Sequence, residues 1–158
     1  EDLVARLKAG PWEVEVCPNG DLMKRIEAYH TETQRAFGVA LPGGEGLILK
    51  IANVNKLAES IPMDASNYLK TLDVTVLHEV VFAQCLGLTG NDFFGYTRIE
   101  QEALDAVENG APASFLQNPP TVDDMRHVSM GGEKMPQKST FYYPKILSGL
   151  VLWRFADF

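Results

Sequence analysis

Apolar and polar residues alternate strictly over Trp12-Glu13-Val14-Glu15-Val16-Cys17, the period of two that marks a half-exposed strand. Ahead of it, Leu3, Val4 and Leu7 recur at roughly helical spacing from Glu1 to Ala9, and Gly10-Pro11 ends that helix. Pro18-Asn19-Gly20 is a turn. Asp21 is then a natural N-cap for a helix running from Leu22 to about Thr33, with Leu22, Ile26 and Tyr29 as its inner stripe. Two further strands, Phe37–Leu41 and Gly46–Ile51, flank Pro42-Gly43-Gly44-Glu45, a strong hairpin signal.

Asn53–Lys70 is mixed and broken by Pro62, which fits a connecting helix or loop. Asp73 can cap a helix over Val74–Leu86, closed by Gly87. Val74, Val76, Leu77, Val80, Val81, Phe82 and Leu86 make that helix apolar nearly all round, the mark of a buried central element. Beyond it the pattern predicts a short strand at Phe93–Arg98, a helix at Gln101–Asn109 and a strand at Ala113–Gln117. Thr121-Val122-Asp123-Asp124 reads as a capping box opening a helix that Gly131-Gly132 stops. Phe141–Tyr143 and Leu150–Phe155 read as closing strands. The sum is an α+β fold: a mixed or antiparallel sheet with helices mainly on one face and helix 74–86 at its centre.

At 158 residues with 46% hydrophobic content, the chain can bury a respectable core as one domain, 1–158. It starts at Glu1, in a segment already helical in pattern, and is expected to be the C-terminal piece of a longer protein. The formal charge of -7 argues against nucleic-acid binding, which needs a broad basic footprint. No apolar run approaches the roughly 18–20 residues that cross a bilayer, and no signal-peptide pattern opens the chain. Cys17 and Cys85 lie far apart without C-x-x-C spacing. They read as buried free thiols, consistent with a reducing cytoplasm.

Against this acidic background one segment stands out. From Arg126 to Arg154, both included, five Lys/Arg residues face one acid, Glu133. Within it, Lys134, Lys138, Ser139 and Thr140 follow two glycines and surround Pro136, with Lys145 a little further on. Backbone N–H groups, hydroxyls and ammonium groups are the parts of an anion or phosphate cradle. A lysine-bearing surface loop leading into an edge strand has the same pattern. It is not the phosphate loop of nucleotide hydrolases: Gln137 replaces the second glycine, and a β-prone run with Pro144 follows where a helix must start.

Other chemistry is sparse. His78-Glu79 lacks the second histidine of a zinc-protease helix, since Phe82 stands there, and His78 reads as a packing residue. His30 near a helix end complements the dipole and is given no catalytic role. His127, a few residues before the loop, can face the same pocket as Lys134 and Lys138 or lie on a helix surface. Neither the cysteines nor the histidines have metal-ligand spacing, so no metal or cofactor is expected. No G-x-S-x-G elbow occurs.

Three blocks carry a resemblance. Leu72–His78, Ala113–Pro119 and Gly132–Lys145 with Ser148-Gly149-Leu150-Val151 resemble, in order, the closing half of a largely uncharacterised prokaryotic family, domain-of-unknown-function family 1015. The resemblance runs from about Phe37 to the end. Gln137 stands where the family pattern usually has a second proline, which should loosen the loop without removing its lysine or hydroxyls. The resemblance implies an upstream half with an Asp-Gly-His-His-Arg motif, similar to the ParB and sulfiredoxin-like fold of some free-serine kinases. It therefore implies a small-molecule phosphotransferase that uses a phosphoryl donor. Its partners would be a small anionic or phosphorylated molecule and the missing N-terminal domain. The present chain alone is expected to be inert. A non-catalytic anion-binding domain, or a structural or oligomerisation domain using Phe141, Tyr142 and Tyr143, is the alternative.

Overall fold

The strands predicted from the alternating and apolar runs do pair. The computed structural model describes residues 2–90 and 94–141. Strands β1 (Glu13–Pro18), β2 (Arg35–Ala40), β3 (Glu45–Ile51) and β4 (Ser114–Leu116) form one antiparallel sheet in the order β1-β3-β2-β4. The glycine turn joins β2 to β3, with Gly43 at φ 96° and Gly44 at φ 84°, values that exclude most side chains. Register places Phe37 opposite Leu49, Val39 opposite Leu47 and Gly38 opposite Ile48.

Directly paired residues share a face, so this register divides the core in two. Phe37, Val39, Leu47, Leu49 and Ile51 point to one side, where they meet Leu7 of α1 (Asp2–Lys8) and Val54 of α3 (Val54–Ala58). On the same side lies the central helix, α5 (Asp73–Val76), which winds on as a π-helical segment (Leu77–Leu86). Ala36, Ala40 and Ile48 point to the other side, against Leu22 and Ile26 of α2 (Leu22–Tyr29) and Val107 of α6 (Glu100–Glu108). The larger helical layer thus covers one face, and a smaller layer that the sequence reading did not anticipate covers the other. Small residues make this second layer possible: a Cβ on Gly38 would lie 3.2 Å from Leu22 Cβ, and one on Gly46 only 2.6 Å from Asn19 Oδ1.

Several boundaries differ from the sequence reading. Asp21 makes no capping bond but belongs to a short 3-10 turn, Asn19–Asp21. Helix α2 stops at Tyr29 rather than about Thr33, because His30 is already extended at φ -71°, ψ 122°. Residues 94–98 form no strand. Asp73 is not a cap but the first residue of α5, and the helix that follows takes up π-turns. Gly87, at φ 70°, closes it by turning the Leu88 N–H back to the Phe82 carbonyl. Asn53–Lys70 resolves into α3 and α4 (Asn67–Lys70), whose N-caps Asn53 and Ser66 accept from the backbones of Lys56 and Leu69. The predicted capping box is present at α7 (Val122–Met130), with Thr121 and Asp124 bonded reciprocally. The closing strands predicted at 142–143 and 150–155 lie outside the described residues, and Phe141 is irregular.

Among the described residues, no helix is long and apolar enough to cross a membrane. Cys17 is buried and Cys85 half-buried, both free, and burial raises both thiols above their usual range.

Candidate functional site

The described parts of the three sequence blocks converge at one end of the sheet. Leu72 and Val74 from the first pack with Leu69 of α4 and Val128 of α7, and Met135 of the third leans on the same cluster. The second block ends there too, with Asn118 buried just beyond β4.

At that end sits a buried ionic cluster. Asp73 is 8% exposed, and Arg35 Nε at the head of β2 lies 2.7 Å from its Oδ1. The contact is an ion pair without a straight hydrogen bond, because the Nε–H is not aimed at that oxygen. Arg35 also donates from its guanidinium to the Gln34 carbonyl at 2.9 Å, which holds it at the strand's end. Asn118 Nδ2 lies 3.4 Å from Asp73 Oδ2 and 3.2 Å from His30 Nδ1, while His30 Nδ1 is 3.7 Å from Asp73 Oδ2. Burial pushes the Asp73 carboxyl above its ordinary range, against the opposing pull of Arg35, His30 and Asn118. Asp73 itself occupies the cradle formed by these groups, so the cluster is closed to a second anion. It ties both helical layers together, since His30 ends α2 and Asp73 begins α5.

A second polar group lies beside it. Tyr68 Oη donates to Asp124 Oδ1 at 3.0 Å, and the Tyr68 ring stacks on His127 with centroids 4.7 Å apart. Burial raises the Tyr68 hydroxyl, helped by its bond to Asp124. Burial pushes Asp124 up, but the donors of Thr121 and Tyr68 outweigh it and hold the carboxyl low. The charge of Arg35 reaches both residues. His127 Nδ1 lies 2.7 Å from the Asp123 carbonyl, so this ring is held by α4 and its own helix.

The basic loop leaves α7 through Gly131 and through Gly132 at φ 73°. Its one acid anchors it: Glu133 accepts from the Ser66 backbone N–H at 2.6 Å and from the Ser66 hydroxyl, and these bonds lower its carboxyl. Lys134, Lys138 and Thr140 are exposed. Lys138 holds φ 61°, a left-handed conformation uncommon outside glycine. Ser139 is buried, and its hydroxyl donates to the Pro136 carbonyl at 2.6 Å. That hydrogen is engaged within the turn, which leaves the two ammonium groups and Thr140 to face solvent. Lys145 lies outside the described residues.

His78 is half-buried against Phe82, Phe94 and Tyr96, and burial lowers its imidazole below the usual range. Among the described residues, no group of three or more His, Cys, Asp or Glu side chains is placed to hold a metal ion. The sequence reading missed Arg35, Asp73 and Asn118 as a unit. The available signal was charge in apolar surroundings: Arg35 heads a buried strand and Asp73 a helix of buried residues. Comparison with family models, curated proteins and solved structures gave no match.

Proposed function

We propose that this chain is a domain that binds a small anionic or phosphorylated molecule through its 131–145 loop. In this reading it is the companion half of a small-molecule phosphotransferase of the free-serine-kinase type. The observation that carries the reading is the loop itself. Two cations, Lys134 and Lys138, stand exposed on a turn fixed by Gly132 at φ 73° and Lys138 at φ 61°. The turn is held to the body by Glu133 on Ser66 and by Met135 on the α4–α7 cluster. Phosphoryl transfer asks little covalent help of a protein, mainly position and positive charge against the phosphate oxygens. Lys134 and Lys138 would supply the charge and Thr140 a hydroxyl. Ser139 would shape the turn, and Lys145 and His127 would act at its margins. On this reading the domain by itself is inert.

Lys138→Ala tests it. The substitution should weaken phosphate or phosphoserine binding by about tenfold, the worth of one charge-assisted bond. Unchanged affinity in a titration would remove Lys138 from the site. A structural or oligomerisation role is the second reading, favoured by Phe141, which is 63% exposed and lies under the Arg98 guanidinium at 3.9 Å. Elution in size exclusion that depends on Phe141 would favour that role.

A further inference from the structure

A cavity of about 320 Å³ opens between the end of α1 and the π-helical segment, lined by residues outside the 131–145 loop. That volume falls at the lower end of the range of small-molecule sites, roughly 300–1,000 Å³. One wall is the corner from Ala9 to Pro11. There the Trp12 indole N–H donates to the Leu7 carbonyl at 2.6 Å, and the ring lies so close over Gly10 that a Cβ would stand 2.1 Å from Cζ2. The opposite wall is Val80, Gln84 and Cys85, carried by the π-helical segment. Departures of this kind from the α-helix are frequent at functional sites.

The two walls are pinned to each other. The Cys85 thiol donates to the Arg6 carbonyl at 3.2 Å, and the Arg6 guanidinium donates to the Leu86 carbonyl at 3.0 Å. Gln84 is held in turn by its bond to the Ser60 carbonyl at 3.2 Å. Ala9, Gly10, Pro11 and Val80 make much of the lining carbon, and Arg6 is its one charged residue among those described. The charge reaches the cavity, since it opposes the effect of burial on the Cys85 thiol.

We propose that this cavity binds a small organic carboxylate, its apolar body against Ala9, Pro11 and Val80 and its carboxylate on the Arg6 guanidinium. A guanidinium presents five N–H donors in a planar fork that matches a carboxylate, and the bond to Leu86 fixes one edge of that fork before a ligand arrives. A phosphate suits the site less, because its second charge would meet carbon walls. The site is built from α1 and the π-helical segment, so it stands independently of the loop reading above.

Cys85 lines the cavity, whereas Cys17 is buried against the other face of the sheet, so thiol alkylation of the 158-residue chain reports occupancy. Iodoacetamide labelling, resolved by mass spectrometry, should slow at Cys85 and not at Cys17 as benzoate is added. Benzamide, a neutral probe of nearly the same shape, should bind about tenfold more weakly, the worth of one charge-assisted bond. Arg6→Met should bring benzoate down to the level of benzamide and leave benzamide unchanged, each rate being read against the same variant without ligand. Ala9→Trp, a large side chain at an exposed lining position, should abolish protection by both. Labelling of Cys85 that ignores benzoate at millimolar concentration would overturn the site. Equal protection by benzoate and benzamide in the parent chain, or benzoate protection that survives Arg6→Met, would overturn the carboxylate assignment.

Discussion

The end of the sheet and the basic loop place charge in opposite ways. At the sheet end, Asp73 is buried and Arg35 half-buried, and Asn118 turns inward to the Asp73 carboxylate. In the loop, Lys134 and Lys138 face solvent, while Glu133 turns back to bond Ser66 at the start of α4. A buried pair costs desolvation that its attraction barely repays, so its main effect is to make one arrangement of the chain obligatory. Exposed cations contribute little to folding and stay available to a ligand. The first region therefore sets geometry, and the second leaves its charge open to solvent.

Breaking the buried region should have the largest consequence. Asp73→Ala strands Arg35 without its partner and should cost about 3–5 kcal/mol of stability in urea denaturation. Adding Arg35→Met should recover part of that loss. A single-variant cost below about 1 kcal/mol would mean that water reaches the cluster. Next comes the loop's backbone: Gly132→Ala, at φ 73°, should cost about 1 kcal/mol. A neutral result would show that the turn relaxes freely.

The smallest effects are those of pH, and here the two regions should oppose each other. Burial raises the Asp73 carboxyl, so the native state keeps that proton to higher pH than the unfolded chain does. Its contribution to stability accordingly falls as pH rises through the raised value. Ser66 lowers the Glu133 carboxyl, so its contribution is present above the ordinary glutamate range and is lost as pH falls through the lowered value. Urea midpoints across acid pH should lose part of their acid-side decline in Glu133→Gln and steepen in Asp73→Asn. An unaltered profile for Glu133→Gln would break the contrast.

Legibility in the sequence followed the range of the interaction. The α7 capping box was readable because Thr121 and Asp124 act within four residues, and the β2–β3 hairpin because its glycines sit between two apolar runs. Asp73 was misread as a cap because its partners are remote: Asn118 is 45 positions away and approaches only through the fold. The early end of α2 has the same origin, since His30 leaves the helix to meet Asn118. The second helical layer was hidden because Ala36, Gly38, Ala40 and Gly46 carry almost no hydrophobic signal, yet they let Leu22 and Ile26 approach closely. In the loop, the residue types were readable but not the inward turn of the Ser139 hydroxyl, which depends on backbone conformation around Pro136.

The central claim is that the exposed loop is a phosphate site, and a backbone-resolved NMR titration of the chain with phosphate, pyrophosphate, phosphoserine and sulfate tests it most directly. The account predicts saturable shifts confined to the amides of residues 131–145, stronger for a phosphate compound than for sulfate. Amides that stay unmoved at millimolar concentrations of all four anions would contradict it.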